Sequence, residues 1–344
     1  MKYIPFLLVF HITGKCNLKC VYCYADSYNQ ENTEIDDIKD VLNQASNLGS
    51  KHVIFTGGEP FIHPDFFEII EYAGKLSFNI HITSNGTLIN KKWADELNSV
   101  DANVTISLDG SSPEVNDPLR GNRTFEMAMN AIDVLITSNI YTSMRMTLVK
   151  NNVHDVRNYI KLAVSKGVNR CIIERMTLME NKPDALILEP SIGDILKTFK
   201  IMSEYKQVDG LKIGSNDPLW LLFRENEIVK YLDKDYLCGG CTAGVAAISV
   251  NPDLTVSPCP RLPVISGDLK EHSLEHIWNK SKIFQNIRNR DLFEGCALCH
   301  FKYICGGCRG AAHAHGSYLG KDPHCWRLKD ELCDDGHSIM QSKL

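Results

Sequence analysis

The sequence predicts an α/β protein built on a parallel β-sheet and followed by a smaller cysteine-rich region. Two observations carry this prediction. Short β-branched and aromatic runs alternate with amphipathic helical stretches over residues 4–175, and nine of the thirteen cysteines lie between positions 238 and 333. Six consecutive βα units without an obvious break favour parallel strands. The pattern leaves two arrangements open, an open doubly wound sheet and a partial barrel.

Six strand candidates recur along the first half of the chain. They span residues 4–12, 52–56, 78–83, 102–108, 141–149 and 170–175. Five helix candidates lie between them, at 33–49, 65–76, 90–98, 123–138 and 153–166. In the first helix apolar side chains recur on one face, Thr33 is expected to cap its start and Gly49 to end it.

The composition of the sequence changes after the sixth strand. Amphipathic connecting helices are predicted over 191–237, and glycine and cysteine become frequent from residue 238. Short strands are expected at 246–250 and 255–258, and one helix at 273–289. The predicted division is 1–190 for the βα units, 191–237 for connecting helices and 238–344 for a cysteine-rich domain.

Composition and charge exclude several classes of protein. Hydrophobic residues make up 44% of the chain and charged residues 23%, as in ordinary globular proteins. The net charge of -5 gives no general electrostatic case for nucleic acid or a membrane surface as a partner. The apolar opening "YIPFLLVF" is too short to cross a bilayer and lacks a signal-peptide pattern. We therefore expect a cytoplasmic protein whose reduced thiols bind metal rather than form disulfides.

Four loops are singled out by the predicted sheet, because parallel α/β folds carry their active sites at the C-terminal ends of the strands. The first strand leads into "HITGKCNLKCVYCYADS" (11–27). The second is followed by "TGGEP", the third by "SNGT" and the fourth by "LDG". All four loops are polar or glycine-rich, and we expect them to face one another.

The first of these loops carries three cysteines, Cys16, Cys20 and Cys23. Thiolate is the ligand that iron–sulfur clusters select, and three thiolates on a four-iron cube leave one iron open to an outside ligand. The alternatives are a fortuitous group of thiols or three of four zinc ligands. The "GGEP" loop favours the cluster, because its glycines permit close backbone approach to a ligand and Glu59 can hold an ammonium group.

The spacing of this loop is similar to that of the radical SAM enzymes, whose signature is CxxxCxΦC with an aromatic residue before the last cysteine. Here Tyr22 supplies the aromatic residue. The resemblance implies a partial barrel of six βα units. It also implies a [4Fe–4S] cluster whose open iron chelates S-adenosylmethionine, with reductive cleavage to a 5′-deoxyadenosyl radical. The radical then abstracts a hydrogen atom from the substrate, and a flavodoxin or ferredoxin is expected as electron donor.

The same resemblance implies contacts to S-adenosylmethionine at the ends of the second to fourth strands. The residues concerned are Gly57, Gly58, Glu59, Pro60, Ser84, Asn85, Ser107 and Asp109. Outside these motifs, Arg120 in "DPLRGN" and Arg145 on the fifth strand are candidates to contact the cofactor carboxylate or the substrate.

The cysteine-rich tail contains "CGGC", "SPCP", "CALCHFKYICGGC" and "DPHCW". Its composition alone favours one or two zinc ribbons built from paired CxxC knuckles. Beside the radical SAM signature, however, it resembles the SPASM extension, which carries two auxiliary four-iron clusters. The resemblance assigns Cys241, Cys259 and Cys308 to the first cluster, with Cys238 as its fourth ligand.

The second auxiliary cluster is assigned to four further cysteines, Cys296, Cys299, Cys305 and Cys325. The chain departs from the SPASM pattern at Leu254, where a turn glycine is usual, so the hairpin before Cys259 is a point of difference. Cys171 is predicted to be a core thiol and Cys333 to be structural.

The resemblance predicts a maturase that cross-links, oxidises or decarboxylates a ribosomally made peptide or protein. Tetrapyrrole side-chain processing in haem or haem d1 synthesis is the alternative enzyme function, and a zinc-stabilised binding module without catalysis is the alternative of another class. The expected partners are a precursor peptide or small-molecule substrate and a separate peptide-recognition protein. Nucleic acid and membrane are not expected as partners.

Overall fold

The computed structural model of the protein describes residues 3–27, 31–179, 182–205, 208, 210–224 and 240–328. Cys238 and Cys333, two of the cysteines considered above, lie outside these residues, as does the end of the predicted connecting-helix region, 225–237. Within the described residues, no helix is long and apolar enough to cross a lipid bilayer.

Ten strands form a single sheet in the described part of the chain. They are β1 Leu7–His11, β2 His52–Thr56, β3 Asn79–Ser84, β4 Asn103–Ser107, β5 Thr142–Leu148, β6 Arg170–Arg175, β7 Lys212–Gly214, β8 Ala247–Val250, β9 Thr255–Ser257 and β10 Gly267–Asp268. The six strands predicted from the sequence are β1 to β6, and β2 and β6 have the predicted bounds.

Eleven α-helices accompany these strands in the same residues. They are α1 Ile35–Asn47, α2 Phe66–Lys75, α3 Lys91–Ser99, α4 Pro113–Arg120, α5 Thr124–Thr137, α6 Val156–Lys166, α7 Ile192–Glu204, α8 Pro218–Phe223, α9 Leu274–Lys280, α10 Lys282–Arg288 and α11 Arg309–Ala314. The single helix predicted over 273–289 is wrong in one respect. Ser281 has an extended ψ of 125°, which separates α9 from α10.

The strand order separates the two arrangements that the sequence left open. The sheet runs β10-β9-β8-β1-β2-β3-β4-β5-β6-β7, and all pairs from β8 to β7 are parallel. In a doubly wound sheet the order reverses at a switch point, whereas here β1 to β7 follow one another in sequence. Because each crossover turns in the same sense, the helices lie along one face, as in a barrel. The predicted partial βα barrel is confirmed.

The two faces of the sheet differ in polarity. On β5, Met144, Met146 and Leu148 pack in the core with the helices, whereas Arg145 and Thr147 lie on the opposite face. The same alternation occurs on the neighbouring strands, where the opposite face carries His11, Thr56, His81, Thr105, Ser107, Glu174 and Ser249. The concave inner face of the sheet therefore carries many polar side chains beside apolar ones such as Val9, Ile54 and Ile172, and it can accommodate polar ligands.

The start of the first helix differs from the prediction. α1 begins at Ile35 with Glu34 at its N-cap, and Glu34 makes no capping side-chain bond. The hydroxyl of Thr33, which was predicted to cap this helix, instead donates to the carbonyl of Pro252 at 2.9 Å. A buried hydroxyl needs a partner, and here the turn after β8 supplies the acceptor.

The cysteine-rich region adds strands to the same sheet. β8 pairs in parallel with β1, and β9 and β10 continue antiparallel from it. The sheet therefore continues into the residues predicted to form the third domain, and the division at 190 and 237 stays a prediction. Cys171 is fully buried in the core, as predicted.

Leu254 occupies the hairpin position at which the sequence departs from the SPASM pattern. Its φ of +71° lies in the left-handed region that glycine adopts without strain. The side chain is 8% exposed and belongs to the hydrophobic core. The hairpin between β8 and β9 therefore forms without glycine, and burial of the leucine offsets the cost of its backbone conformation.

Candidate active site

The three-cysteine loop and the "GGEP" loop are joined by their main chains. The amide of Gly58 donates to the carbonyl of Thr13 at 2.7 Å, and the amide of Glu59 donates to the carbonyl of Lys15 at 2.8 Å. A Cβ atom at Gly57 would lie 2.3 Å from the oxygen of Thr13, and one at Gly58 would lie 2.0 Å from the oxygen of Lys15. The glycines thus allow close approach of the two loops, whereas the sequence had suggested approach to a ligand.

A Gly58→Ala substitution is expected to displace the three-cysteine loop. The added methyl group meets rigid backbone, the carbonyl of Lys15 and the amide of Cys16, which cannot move aside without moving the cysteine. We expect Gly58→Ala to reduce iron incorporation from about twelve to about eight irons per chain.

The matched control for this substitution is Gly74→Ala in α2. A Cβ atom there has no neighbour closer than 4.0 Å, and alanine favours a helix. Iron analysis of both anaerobically reconstituted variants is the measurement. Equal iron contents would contradict the role assigned to the contact between the loops.

Glu59 is the buried carboxylate at the junction of the second and third loops. It is 1% exposed, and it accepts hydrogen bonds from the hydroxyl of Ser84 and the amide of Asn85, each at 2.8 Å. Burial raises the pKa of Glu59 to about 7, although these hydrogen bonds oppose the shift. The side-chain amide of Asn85 in turn donates to Asn17 of the cysteine loop at 2.9 Å. Glu59, Ser84 and Asn85 therefore form one connected group.

The thiols of Cys16, Cys20 and Cys23 lie together, half-buried, in the first loop. They are close enough for the charge of each thiolate to disfavour ionisation of its neighbours. Burial is the larger effect, and it raises the pKa of Cys16 and Cys20 to about 11. A thiol in this environment ionises when a metal replaces its proton.

Asp109 is a fully buried acceptor beneath this loop. Its carboxylate accepts from the hydroxyl of Tyr22, from Nε of Arg120 at 2.5 Å and from the amide of Thr147 at 2.7 Å. Burial alone would lower the pKa of Arg120, but the Asp109 carboxylate raises it well above its usual value. Arg120 is therefore bound to Asp109, whereas the sequence had suggested contact with the cofactor carboxylate or the substrate. The amide of Val21 also donates to the carbonyl of Leu119, which holds the cysteine loop against α4.

A second group of thiols forms in the tail. Cys259 lies within electrostatic range of Cys241 and Cys308. These three are the cysteines assigned to the first auxiliary cluster that the structure describes. Burial raises the pKa of Cys259 to about 11, while the neighbouring Arg261 opposes this shift. Arg261 thus stabilises negative charge beside this group.

The third group of thiols lines a single cavity. Its members are Cys296, Cys299, Cys305 and Cys325, the four cysteines assigned to the second auxiliary cluster. Two successive glycines with positive φ, Gly306 and Gly307, also line this cavity, and a Cβ atom on either would clash with the guanidinium group of Arg290 or Arg309. Sets of three and four buried or half-buried thiols have the donor chemistry of iron–sulfur clusters. Among the described residues, no three histidine, cysteine, aspartate or glutamate side chains lie close enough together to bind a single metal ion.

One buried ionic group fastens the tail to β6, and no pattern in the sequence predicted it. Arg175 donates to both oxygens of Asp322, at 2.8 and 2.5 Å, and its Nε lies 2.6 Å from Asp217. Asp322 also accepts from the amide of Cys308 at 2.7 Å. Because Arg175 and Asp322 are 147 positions apart, no spacing or periodicity indicates the pair.

Comparison with known proteins identifies the family. Residues 10–163 match the model of the radical SAM superfamily, and residues 241–300 match the SPASM model of an iron–sulfur cluster-binding domain. The chain contains a radical SAM domain and a SPASM domain. The predicted family, the enzyme class and the cofactors are thereby confirmed: a radical SAM enzyme uses S-adenosylmethionine and a [4Fe–4S] cluster, and its SPASM domain binds additional iron–sulfur clusters.

Two groups of curated relatives align with almost the whole radical SAM chain. The AdoMet-dependent heme synthase of Methanosarcina barkeri is 27% identical over 340 residues, covering 94% of this chain and 97% of that one. The mycofactocin maturase MftC of Mycolicibacterium smegmatis is 26% identical over 332 residues, covering 93% of this chain and 82% of that one.

Two solved structures share the fold of this enzyme. Streptococcus suis SuiB bound to S-adenosylmethionine aligns with a TM-score of 0.78 at 18% identity, covering 94% of this chain and 78% of that one. The enzyme anSMEcpe with bound AdoMet aligns with a TM-score of 0.74 at 20% identity, covering 94% of each chain. These structures confirm the radical SAM fold with its C-terminal SPASM domain.

Proposed function

We propose that Cys16, Cys20 and Cys23 bind the catalytic cluster of this enzyme and that a precursor peptide is modified on the polar inner face of its sheet. The observation that carries the proposal is the grouping of three thiols beside the buried Glu59. When bound there, the cluster and S-adenosylmethionine supply a 5′-deoxyadenosyl radical that takes a hydrogen atom from the substrate.

In this proposal the Glu59 carboxylate accepts hydrogen bonds from the ammonium group of the cofactor. Ser84 and Asn85 hold the Glu59 carboxylate in place by donating to it. The contacts to S-adenosylmethionine proposed from the resemblance are completed by Tyr22, Gly57, Gly58, Pro60, Ser107 and Asp109. Asp109 already has three donors, from Tyr22, Arg120 and Thr147. Its part in this set is therefore to position Tyr22.

The proposed role of Glu59 predicts a pH dependence of cofactor binding. An ammonium group is bound by the ionised carboxylate, whose pKa is about 7. We expect affinity for S-adenosylmethionine to fall about tenfold per unit below pH 7, where Glu59 is protonated, and to level off above it. In Glu59→Gln the affinity should be at least about tenfold weaker at pH 8, and this pH dependence should be absent.

Equilibrium dialysis of the anaerobic holoenzyme between pH 6 and 8 measures these affinities. Glu68→Gln is the matched control, because Glu68 lies on the surface of α2 and pairs with Lys39. A Glu59→Gln variant with the pH profile of the wild type would contradict the assignment.

A ribosomally made peptide is the first candidate substrate. MftC, whose name describes a maturase, aligns along almost the whole chain, and SuiB has been solved with its precursor peptide SuiA at a TM-score of 0.77. The polar inner face of the sheet is suited to hold such a segment, with an electron donor such as flavodoxin or ferredoxin supplying the electron. A separate peptide-recognition protein completes the proposed assembly, in the reducing cytoplasm.

Tetrapyrrole side-chain processing is the second candidate, because a specific observation favours it. The AdoMet-dependent heme synthase of Methanosarcina barkeri aligns over 97% of its own length and 94% of this chain, so the alignment spans nearly all of both chains. The Fe-coproporphyrin III synthase of the same organism is also 27% identical, over 358 aligned positions.

An anaerobic turnover assay distinguishes the two substrates. The reduced holoenzyme is incubated with S-adenosylmethionine and either Fe-coproporphyrin III or a peptide encoded next to the gene. A rise in 5′-deoxyadenosine together with a mass change in the peptide supports peptide maturation. The same pair of changes with Fe-coproporphyrin III alone would overturn it in favour of tetrapyrrole processing.

The thiol groups of the tail are proposed to hold two auxiliary [4Fe–4S] clusters. Cys241, Cys259 and Cys308 bind the first, with Cys238 as the fourth ligand, and Cys296, Cys299, Cys305 and Cys325 bind the second. A cluster with four protein thiolates has no open iron for substrate. Both clusters therefore serve electron transfer in this proposal.

A further inference from the structure

Arg145 is a polar side chain on the inner face of β5 that the protein itself does not satisfy. Its Nε atom is buried, and no hydrogen bond or ion pair joins the Arg145 side chain to any residue that the structure describes. Arg145 itself is half-buried, and leaving its buried Nε donor without a partner is costly. A carboxylate matches this donor set in charge and in its planar geometry.

Two further charged side chains lie next to Arg145. Glu174 is on the adjacent strand β6, and a guanidinium nitrogen of Arg261 approaches its carboxylate at 3.7 Å. Burial alone would raise the pKa of Glu174, but Arg145 and Arg261 lower it overall. Glu174 is therefore ionised and pairs with Arg261, which also faces the thiols of Cys259 and Cys308. No carboxylate that the structure describes lies within ion-pair distance of Arg145, so the charge of Arg145 is available to a ligand.

Tyr24 lies near Arg145 and near two of the thiol groups. Tyr24 directly follows Cys23, and its hydroxyl is within electrostatic range of Cys23, of Arg145 and of Cys259. Arg261 is two residues beyond Cys259. A ligand held by these arginines would thus lie between the catalytic thiols and the first auxiliary group.

We propose that Arg145, assisted by Arg261, binds a carboxylate group of the substrate on the inner face of the sheet. This rests on the proposed function, since it requires a substrate at that face. The methionine part of S-adenosylmethionine also carries a carboxylate. Arg261 favours the substrate as the source, because it comes from the loop of the auxiliary group and not from a loop that contacts the catalytic thiols.

The test uses [1-¹³C]propionate as a simple carboxylate probe. The anaerobic, reduced holoenzyme is saturated with S-adenosylmethionine, and broadening of the propionate ¹³C signal by the paramagnetic clusters is titrated. We expect saturable broadening, none with the uncharged propionamide, and an apparent Kd at least about tenfold weaker in Arg145→Met. Arg145→Lys should retain part of the effect. Arg157→Met, on the surface of α6, is the control and should behave as wild type.

Three outcomes overturn the proposal. They are the absence of saturable propionate broadening in the wild type, equal broadening in a folded Arg145→Met variant with full iron content, and a tenfold loss of S-adenosylmethionine affinity in that variant. The last would assign Arg145 to the cofactor carboxylate. Formation of 5′-deoxyadenosine by the wild type without substrate is measured in parallel. Its absence would reject the proposed function itself, whereas its presence without propionate binding rejects only this inference.

Discussion

Replacement of Cys16, Cys20 and Cys23 by alanine is expected to abolish cleavage of S-adenosylmethionine. The three thiols are the grouped donors at the junction of the first two loops, and without them no iron can be held beside Glu59. The tail groups do not depend on this loop, so the variant should keep about eight irons per chain in two remaining cubanes. Production of 5′-deoxyadenosine and iron content of the anaerobic protein are the measurements.

The control for this variant is Cys171→Ala, which removes a thiol buried in the hydrophobic core. It should retain about twelve irons and full cleavage activity. Undiminished 5′-deoxyadenosine formation by the triple variant would contradict the assignment of the catalytic ligands. Four or fewer irons at good occupancy would mean that the tail holds fewer clusters than proposed.

The strands of the barrel could be predicted because their signal is local. Apolar residues such as Met144, Met146 and Leu148 alternate with polar ones along each strand, and glycine or polar turns bound the runs. The parallel pairing of β8 with β1 could not be predicted in this way. The two strands are more than 230 residues apart, and the periodicity of a strand does not indicate which other strand it pairs with.

The loops of the candidate site were located from the sequence, but their contacts were not. The rule that parallel strands carry active sites at their C-terminal ends placed Glu59 and Ser84 near the cysteine loop, and they are connected to it. Gly58 was expected to allow close approach to a ligand, but its close neighbour is the carbonyl of Lys15. Which atom approaches a glycine depends on how two loops pack, and the sequence of one loop does not contain that information.

The partners of the charged residues were the least predictable feature. Arg120 was a candidate to contact the cofactor carboxylate or the substrate. Its side chain instead pairs with the carboxylate of Asp109, eleven positions earlier in the same segment. Arg175 was not predicted to be a buried residue, although it is 3% exposed and has two carboxylate partners. Buried arginines require such partners, but the sequence does not reveal which arginines are buried.

The second large effect is expected where Arg175 fastens the tail to β6. Its side chain is 2% exposed and contacts Asp322 and Asp217, whose side chains are 0% and 1% exposed. Removing one partner of a buried ion pair leaves an uncompensated charge and costs about 3–5 kcal/mol of unfolding free energy. Asp322→Ala should fall in this range, because it leaves the buried amide of Cys308 and two donors of Arg175 without their acceptor.

Arg175→Met should be more destabilising than Asp322→Ala, because it leaves two buried carboxylates without their cation. The matched control is Asp291→Ala, which removes a carboxylate that is 62% exposed and pairs with Lys302 on the surface. Such a pair contributes about 0–1 kcal/mol. The midpoint of guanidinium-induced unfolding of the anaerobic holoenzyme ranks the three variants. If Arg175→Met unfolds at the same concentration as Asp291→Ala, the buried ionic group does not hold the SPASM region to the barrel.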